Sequence, residues 1–161
     1  MAQIPRLRRY AYALTGDRSQ GDDLVQECLE RAWGRRRLYE ASRPIRPWLF
    51  TILHNLHVNQ VRRRAAEPAM VSHDDPASGE PAAPGEPGEV ELEDLRRALA
   101  SLAPAQREVV VLVGVEQLSY REAAATLGVP VGTVMSRLSR GRAQLREWLA
   151  GRDDAVGRKP R

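Results

Sequence analysis

The sequence offers little that could be cross-linked, stacked or threaded through a bilayer. One cysteine, Cys28, excludes an internal disulfide and with it the stapled architecture of small secreted domains. Aromatic residues make up 5% of the chain, so any core must be mostly aliphatic. No apolar run approaches the roughly 20 residues of a membrane-spanning helix. The opening MAQIPRLRRY has no apolar signal-peptide stretch. A cytoplasmic protein without membrane insertion is therefore expected. Catalytic constellations are missing too: there is no Ser/His/Asp set, no phosphate-cradling glycine loop and no paired carboxylates. His54 and His57 are three apart but have no third ligand beside them, and zinc sites want three or four. The expectation is a non-enzyme with no cofactor, no metal and no small-molecule substrate. Lysine is nearly absent, Lys159 being the only one. Arginine in its place suits bidentate contacts, although genome composition gives the same bias.

What is present is charge in blocks. Residues 1–64 hold 13 arginines against 6 acids, residues 65–94 hold 9 acids and no basic residue, and residues 95–161 hold 12 basic residues against 6 acids. Two basic modules flanking an acidic tether suit partners with phosphate backbones. Residues 65–90 are rich in Pro, Gly, Ala and acids. They cannot bury enough apolar surface to offset ordering, and read as a disordered linker.

The most informative stretch is LSYREAAATLGVPVGTVMSRLSRGR, residues 118–142. Ser119 and Glu122 form a capping box. Gly128 can end the first helix and Pro130 can start the next. Val134, Leu138 and Leu145 then make a buried stripe, with Ser136, Arg137, Arg140 and Arg142 on other faces. An ordinary helical hairpin with a solvated basic face is one reading. A short helix, a glycine turn and an arginine-bearing second helix together favour a DNA-reading helix-turn-helix.

Upstream, residues 4–15 form a first helix with Leu7, Tyr10, Ala11 and Leu14 on one side, ended by Gly16. Ser19 with Asp22 marks the cap of a second helix. Its apolar stripe is Leu24, Val25, Cys28, Leu29, Ala32 and Trp33; the opposite stripe is Asp23, Gln26, Glu27 and Glu30, which periodicity alone makes a solvated face. Cys28 reads as a core residue. Residues 37–46 form an arginine-rich loop, and Pro47 opens a third helix with core positions Leu49, Ile52, Leu53, Leu56 and Val61. A second stripe of that helix, Trp48, Thr51, Asn55, Asn59 and Arg62, suits single-stranded bases, although core packing is the commoner fate of a lone Trp. Helix resumes near Glu91, with Leu92, Leu95, Leu99 and Leu102 in register. The Val-rich run after Pro104 fits a buried strand by periodicity; the helical surroundings decide for helix. The tail from Gly151 is charged and expected to fray.

Taken in order, ALTGD (13–17), DDLVQECLERAW (22–33), RPWLFTILHNL (46–56), VNQVRRR (58–64), LAPAQREVVVL (102–112) and the helix-turn-helix resemble the bacterial RNA polymerase sigma factors, in the extracytoplasmic-function (ECF) class that keeps only sigma regions 2 and 4. The resemblance implies an all-α chain of two small helical domains: region 2 over 1–64, the flexible acidic linker over 65–90, region 4 over 91–150 and a charged tail over 151–161. It implies core polymerase, promoter DNA and an anti-sigma protein as partners. Asp23, Gln26, Glu27 and Glu30 would dock on the polymerase clamp. Arg37, Arg43 and Arg46, in the loop that holds a flipped base, would join Trp48, Thr51, Asn55, Asn59 and Arg62 on the melted minus-ten strand. Gly132, Thr133 and Arg137 would meet phosphates of the minus-thirty-five element, and Ser136, Ser139 and Arg140 its bases. Met135, where many members carry Lys or Arg, Gly21, where Ala is usual, and Ser139, often bulkier, depart from the pattern. The alternatives are an ordinary helix-turn-helix regulator and a sigma-mimic adaptor that sequesters an anti-sigma protein.

Overall fold

The computed structural model describes residues 3–40, 42–66 and 87–157, with the backbone alone at 87–93 and 152–157. The described residues are helical or irregular, with no strand among them. They fall into two compact units, one of residues 1–82 with 125–128 and the other of residues 83–124 with 129–161. Most of the expected linker, residues 67–86, lies outside the described residues.

The N-terminal unit begins with α1 (Ile4–Thr15) and α2 (Arg18–Gly34). Between them Gly16 takes φ 70, closing α1 through its N–H to the Tyr12 carbonyl at 2.9 Å. The cap of α2 is Asp17, not Ser19: the Asp17 carboxylate accepts the Gln20 N–H at 2.7 Å. The helix therefore starts earlier than the Ser-x-x-Asp spacing suggests. A 3-10 turn (Arg36–Leu38) and an irregular segment lead to α3 (Ile45–Ala66). Pro47 sits inside the first turn of α3, where its missing N–H costs nothing.

Leu7, Tyr10, Leu24, Cys28, Phe50, Leu53 and Leu56 are almost completely buried. Tyr10 meets Phe50 edge-on, with ring centroids 5.3 Å apart, and its hydroxyl is hydrogen-bonded to His54 Nδ1 at 3.3 Å. Burial first, and the neighbouring His57 second, push the His54 pKa down to about 4. Cys28 is a core residue as expected: its thiol lies 3.5 Å from the Leu49 carbonyl oxygen, and burial, with Glu27 adding to it, raises its pKa to about 12. Gly21 admits the Tyr12 ring so closely that a Cβ would lie 2.4 Å from it. Alanine at that position would require the ring to move, and this accounts for the departure at Gly21. Two stripe positions are corrected. Trp33 is 71% exposed and Val61 50% exposed, because both lie at helix ends, beyond the reach of the three-helix core.

The C-terminal unit comprises α4 (Pro87–Ala100), α5 (Pro104–Val109), a π-helical turn (Val110–Val115), α6 (Tyr120–Leu127) as far as Ala124, and α7 (Val131–Gly157). Helix starts at Pro87 rather than near Glu91, and α7 carries the backbone of the expected frayed tail as far as Gly157. Leu95 is exposed; α4 packs through Ala98 instead, and Leu102 is buried just past its end. The Val-rich run is helical, widened so that Glu116 N–H reaches the Val111 carbonyl. The Arg107 guanidinium donates to the carbonyls of Leu99, Ala100 and Leu102, at 2.8, 3.1 and 3.1 Å, and so closes the end of α4. Gly141 lets α7 approach the Val-rich turn: a Cβ there would lie 2.7 Å from Val110 Cγ2.

Candidate nucleic-acid interface

The helix-turn-helix forms from its local signals. Ser119 N–H donates to the Glu122 carboxylate at 2.7 Å, and Glu122 N–H donates to the Ser119 hydroxyl at 3.2 Å. These are the two reciprocal bonds of a capping box. Gly128 has φ 64 and Val129 N–H reaches back to the Ala124 carbonyl at 3.1 Å, a helix ending that needs a residue free of Cβ strain. Val134 and Leu138 are buried and Leu145 half-buried, so the opposite face of α7 points outward. On it Gly132, Ser136, Ser139 and Arg140 are exposed, while Thr133 and Arg137 are half-buried. The Ser136 hydroxyl donates to the Thr133 carbonyl at 3.1 Å, which leaves its oxygen free to accept. Met135 is 52% exposed and adds an apolar surface to this face. Beneath it Glu108 is half-buried. Burial raises its pKa, against the pull of Arg137 and Arg107.

In the N-terminal unit α3 carries Trp48, Thr51, Asn55, Asn59 and Arg62 along one face, each one helical turn from the last. Asn55, Asn59 and Arg62 are exposed; Trp48 and Thr51 are half-buried. The Thr51 hydroxyl donates to the Pro47 carbonyl at 2.8 Å. Arg37 and Arg43 are exposed and Arg46 is half-buried. Arg43 Nε lies 2.9 Å from the Glu40 carboxylate. Sequence reasoning passed over Tyr39, whose ring centroid is 5.0 Å from that of Trp48. An aromatic among arginines, nine residues ahead of the Trp, was the available signal.

The acidic stripe of α2 divides in two. Asp23, Gln26 and Glu30 are exposed, and Gln26 donates to Glu30 at 3.0 Å. Glu27 is half-buried and works inside the fold: it accepts from Gln60 of α3 at 3.1 Å and from Arg31 at 3.4 Å. Past Glu30 the stripe runs into exposed Trp33, which holds the Arg36 guanidinium 4.9 Å from its ring centroid. Among the described residues no group of three or more His, Cys, Asp or Glu could hold a metal ion, and no helix is long and apolar enough to cross a membrane.

Two family models match, one on each unit. "Sigma2 domain of PhyR" covers residues 1–54 and "Sigma-70, region 4" covers residues 92–145. The ECF RNA polymerase sigma factor EcfG of Rhodopseudomonas palustris is 40% identical over 92% of this chain and 82% of that protein. This chain belongs to the ECF sigma factor family. Solved structures agree. The sigma factor RpoE, co-crystallised with the anti-sigma factor NepR from Bartonella quintana, is similar at a TM-score of 0.79 and 36% identity, over 92% of both chains. CnrH, in complex with the cytosolic domain of CnrY, is similar at a TM-score of 0.68 and 27% identity, over 93% of this chain and 84% of that one. As a member of this family the chain is a sigma factor, an all-α protein of transcription initiation, and its helix-turn-helix is the region 4 element.

Proposed function

We propose that this ECF sigma factor works in the cytoplasm without catalysing a reaction of its own. It joins core RNA polymerase, brings it to a two-element promoter and opens the DNA. The N-terminal unit, residues 1–64, takes the clamp through Asp23, Gln26, Glu27 and Glu30, with Glu27 also bracing α2 against α3. The face from Trp48 to Arg62, with Arg37, Arg43 and Arg46 beside its start, holds the melted minus-ten strand. Extruding a base costs a few kcal/mol, which stacking and edge contacts can offset. The C-terminal unit, residues 91–150, reads the minus-thirty-five element through α7. Gly132, Thr133 and Arg137 meet phosphates; Ser136, Ser139 and Arg140 meet bases, Arg140 pairing best with guanine. The acidic linker threads the RNA-exit region, where its charge imitates a transcript. An anti-sigma protein holds the chain in check, as NepR is bound to RpoE in the similar complex.

The observation that carries this reading is one aromatic, amide and guanidinium face on α3 in the same chain as an arginine-bearing α7. Transcription by bacterial core polymerase on a pooled promoter library, with and without the chain, tests it. New start sites sharing two spaced upstream elements are the expected result. DNA retention without new starts would mean a helix-turn-helix regulator, and neither would mean a sigma-mimic adaptor.

A further inference from the structure

We infer that Tyr39 is a positioning residue of the minus-ten interface. It fastens the turn carrying Arg43 to the ring of Trp48, so that guanidinium and indole meet a single strand as one preformed unit. The inference rests on the reading of that face given above and extends it to a residue outside the motif.

The contacts form a closed chain. The Tyr39 ring packs on Trp48 with centroids 5.0 Å apart and planes 39° apart. Its hydroxyl donates to the Arg43 carbonyl oxygen. Arg43 N–H donates to the Glu40 carbonyl at 3.0 Å, and Arg43 Nε lies 2.9 Å from the Glu40 carboxylate. Glu40 is the only acid between Glu30 and Glu67, so it is the one carboxylate this arginine-rich loop offers to steer Arg43. Among the described residues from Trp33 to Ile45, Tyr39 alone is partly buried; the others are exposed. The loop is thus attached to the helical core through this side chain. Phenylalanine would keep the ring contact and lose the tether. An arginine whose backbone is already tied to the stacking pair and whose guanidinium is already paired with Glu40 loses less freedom when a strand arrives than one ordered on contact.

The test uses holoenzyme assembled from core polymerase and the full chain. Its ligands are labelled non-template strands taken from a promoter recovered in the library, both intact and with one abasic position at a time. Tyr39→Phe is expected to weaken the intact strand about three- to tenfold, the range for one hydrogen bond. Tyr39→Ala is expected to weaken it further, having lost the ring pair as well. On the strand whose abasic position removes the base held by this unit, wild type and Tyr39→Phe should bind alike, while core affinity stays unchanged. A purely structural role would instead lower binding equally on every strand, and that result overturns the inference. Unchanged or tighter binding by Tyr39→Phe also overturns it, since Tyr39 would then be idle or a cover over Trp48. Should Tyr39→Ala unfold the unit, Tyr39→Phe decides alone. Failure of the wild-type holoenzyme to retain the intact strand defeats the minus-ten reading, and this inference with it; normal retention with an indifferent Tyr39 defeats the inference only.

Discussion

The two units expose their binding faces by different means. In the N-terminal unit the ties span the chain: Tyr10 to His54, Gln60 to Glu27 and Arg64 to Gln20 join residues 44, 33 and 44 positions apart. In the C-terminal unit many are local. The capping box spans three residues, and Arg107 reaches carbonyls five to eight residues back, although Gln144 to Ser101 reaches further. A face built on long-range ties exists only when the whole unit is folded. A face set by caps and a turn is specified where it stands. Damage to the core should therefore silence the strand-binding face at once, whereas damage to a cap should wear the helix-turn-helix down gradually.

The largest expected effect comes from Phe50→Ala. Phe50 is fully buried and meets Tyr10 edge-on. Truncating such a side chain costs about 3–5 kcal/mol, enough to unfold a small unit. Denaturant unfolding of the variant should show an early transition, with single-strand retention lost and duplex minus-thirty-five binding kept. Simultaneous loss of both activities would show that the units do not stand apart.

Acid should act on the same core. His54 has a pKa of about 4 in the folded chain and about 6.5 when unfolded. The unfolded chain binds the proton more readily between these values. The stability contributed by neutral His54 is therefore complete above pH 6.5, falls as the pH drops toward 4, and changes no further below that. The fall amounts to about 3 kcal/mol. Stability against pH for wild type and His54→Leu measures it, and the variant's curve should be the flatter one across that window.

The same contrast accounts for what could be read in advance. The helix-turn-helix was legible because Ser119, Glu122, Gly128 and Pro130 each carry a local physical instruction, and the structure follows them. The boundaries of α1 were legible for the same reason, Gly16 being its stop. Glu27 was not, because helical period places it with Asp23 and Glu30 and cannot reveal Gln60 approaching from α3. Trp33 misled for a related reason: period assigns it to the buried stripe, but the helix outruns the core that would cover it. Tyr39 needed the fold of the loop onto α3 before its role could be seen.

On the DNA-reading face the expected effect is smaller and confined to one base pair. Arg140 is exposed on the outward face of α7. Arg140→Ala should cost about 1–3 kcal/mol at one minus-thirty-five position and relax the preference there. Binding to a set of single-substitution promoters measures this. A uniform loss across the set would assign Arg140 to phosphate.

The smallest effect tests the local side of the contrast most directly. Ser119→Ala removes the acceptor for Glu122 N–H and the hydroxyl that donates to the Glu122 carboxylate, and keeps the bond from the residue-119 N–H to that carboxylate. Losing a cap side chain costs about 1 kcal/mol, spread over a helix also held by buried Ala123 and Leu118. Helix α6 should stay folded, and hydrogen exchange should quicken in its first turn. Minus-thirty-five affinity should fall by no more than a few-fold, and single-strand retention should not change. If this one hydroxyl abolished DNA binding, the helix-turn-helix would depend on a cooperative network as the N-terminal unit does, and the contrast between the two units would fail.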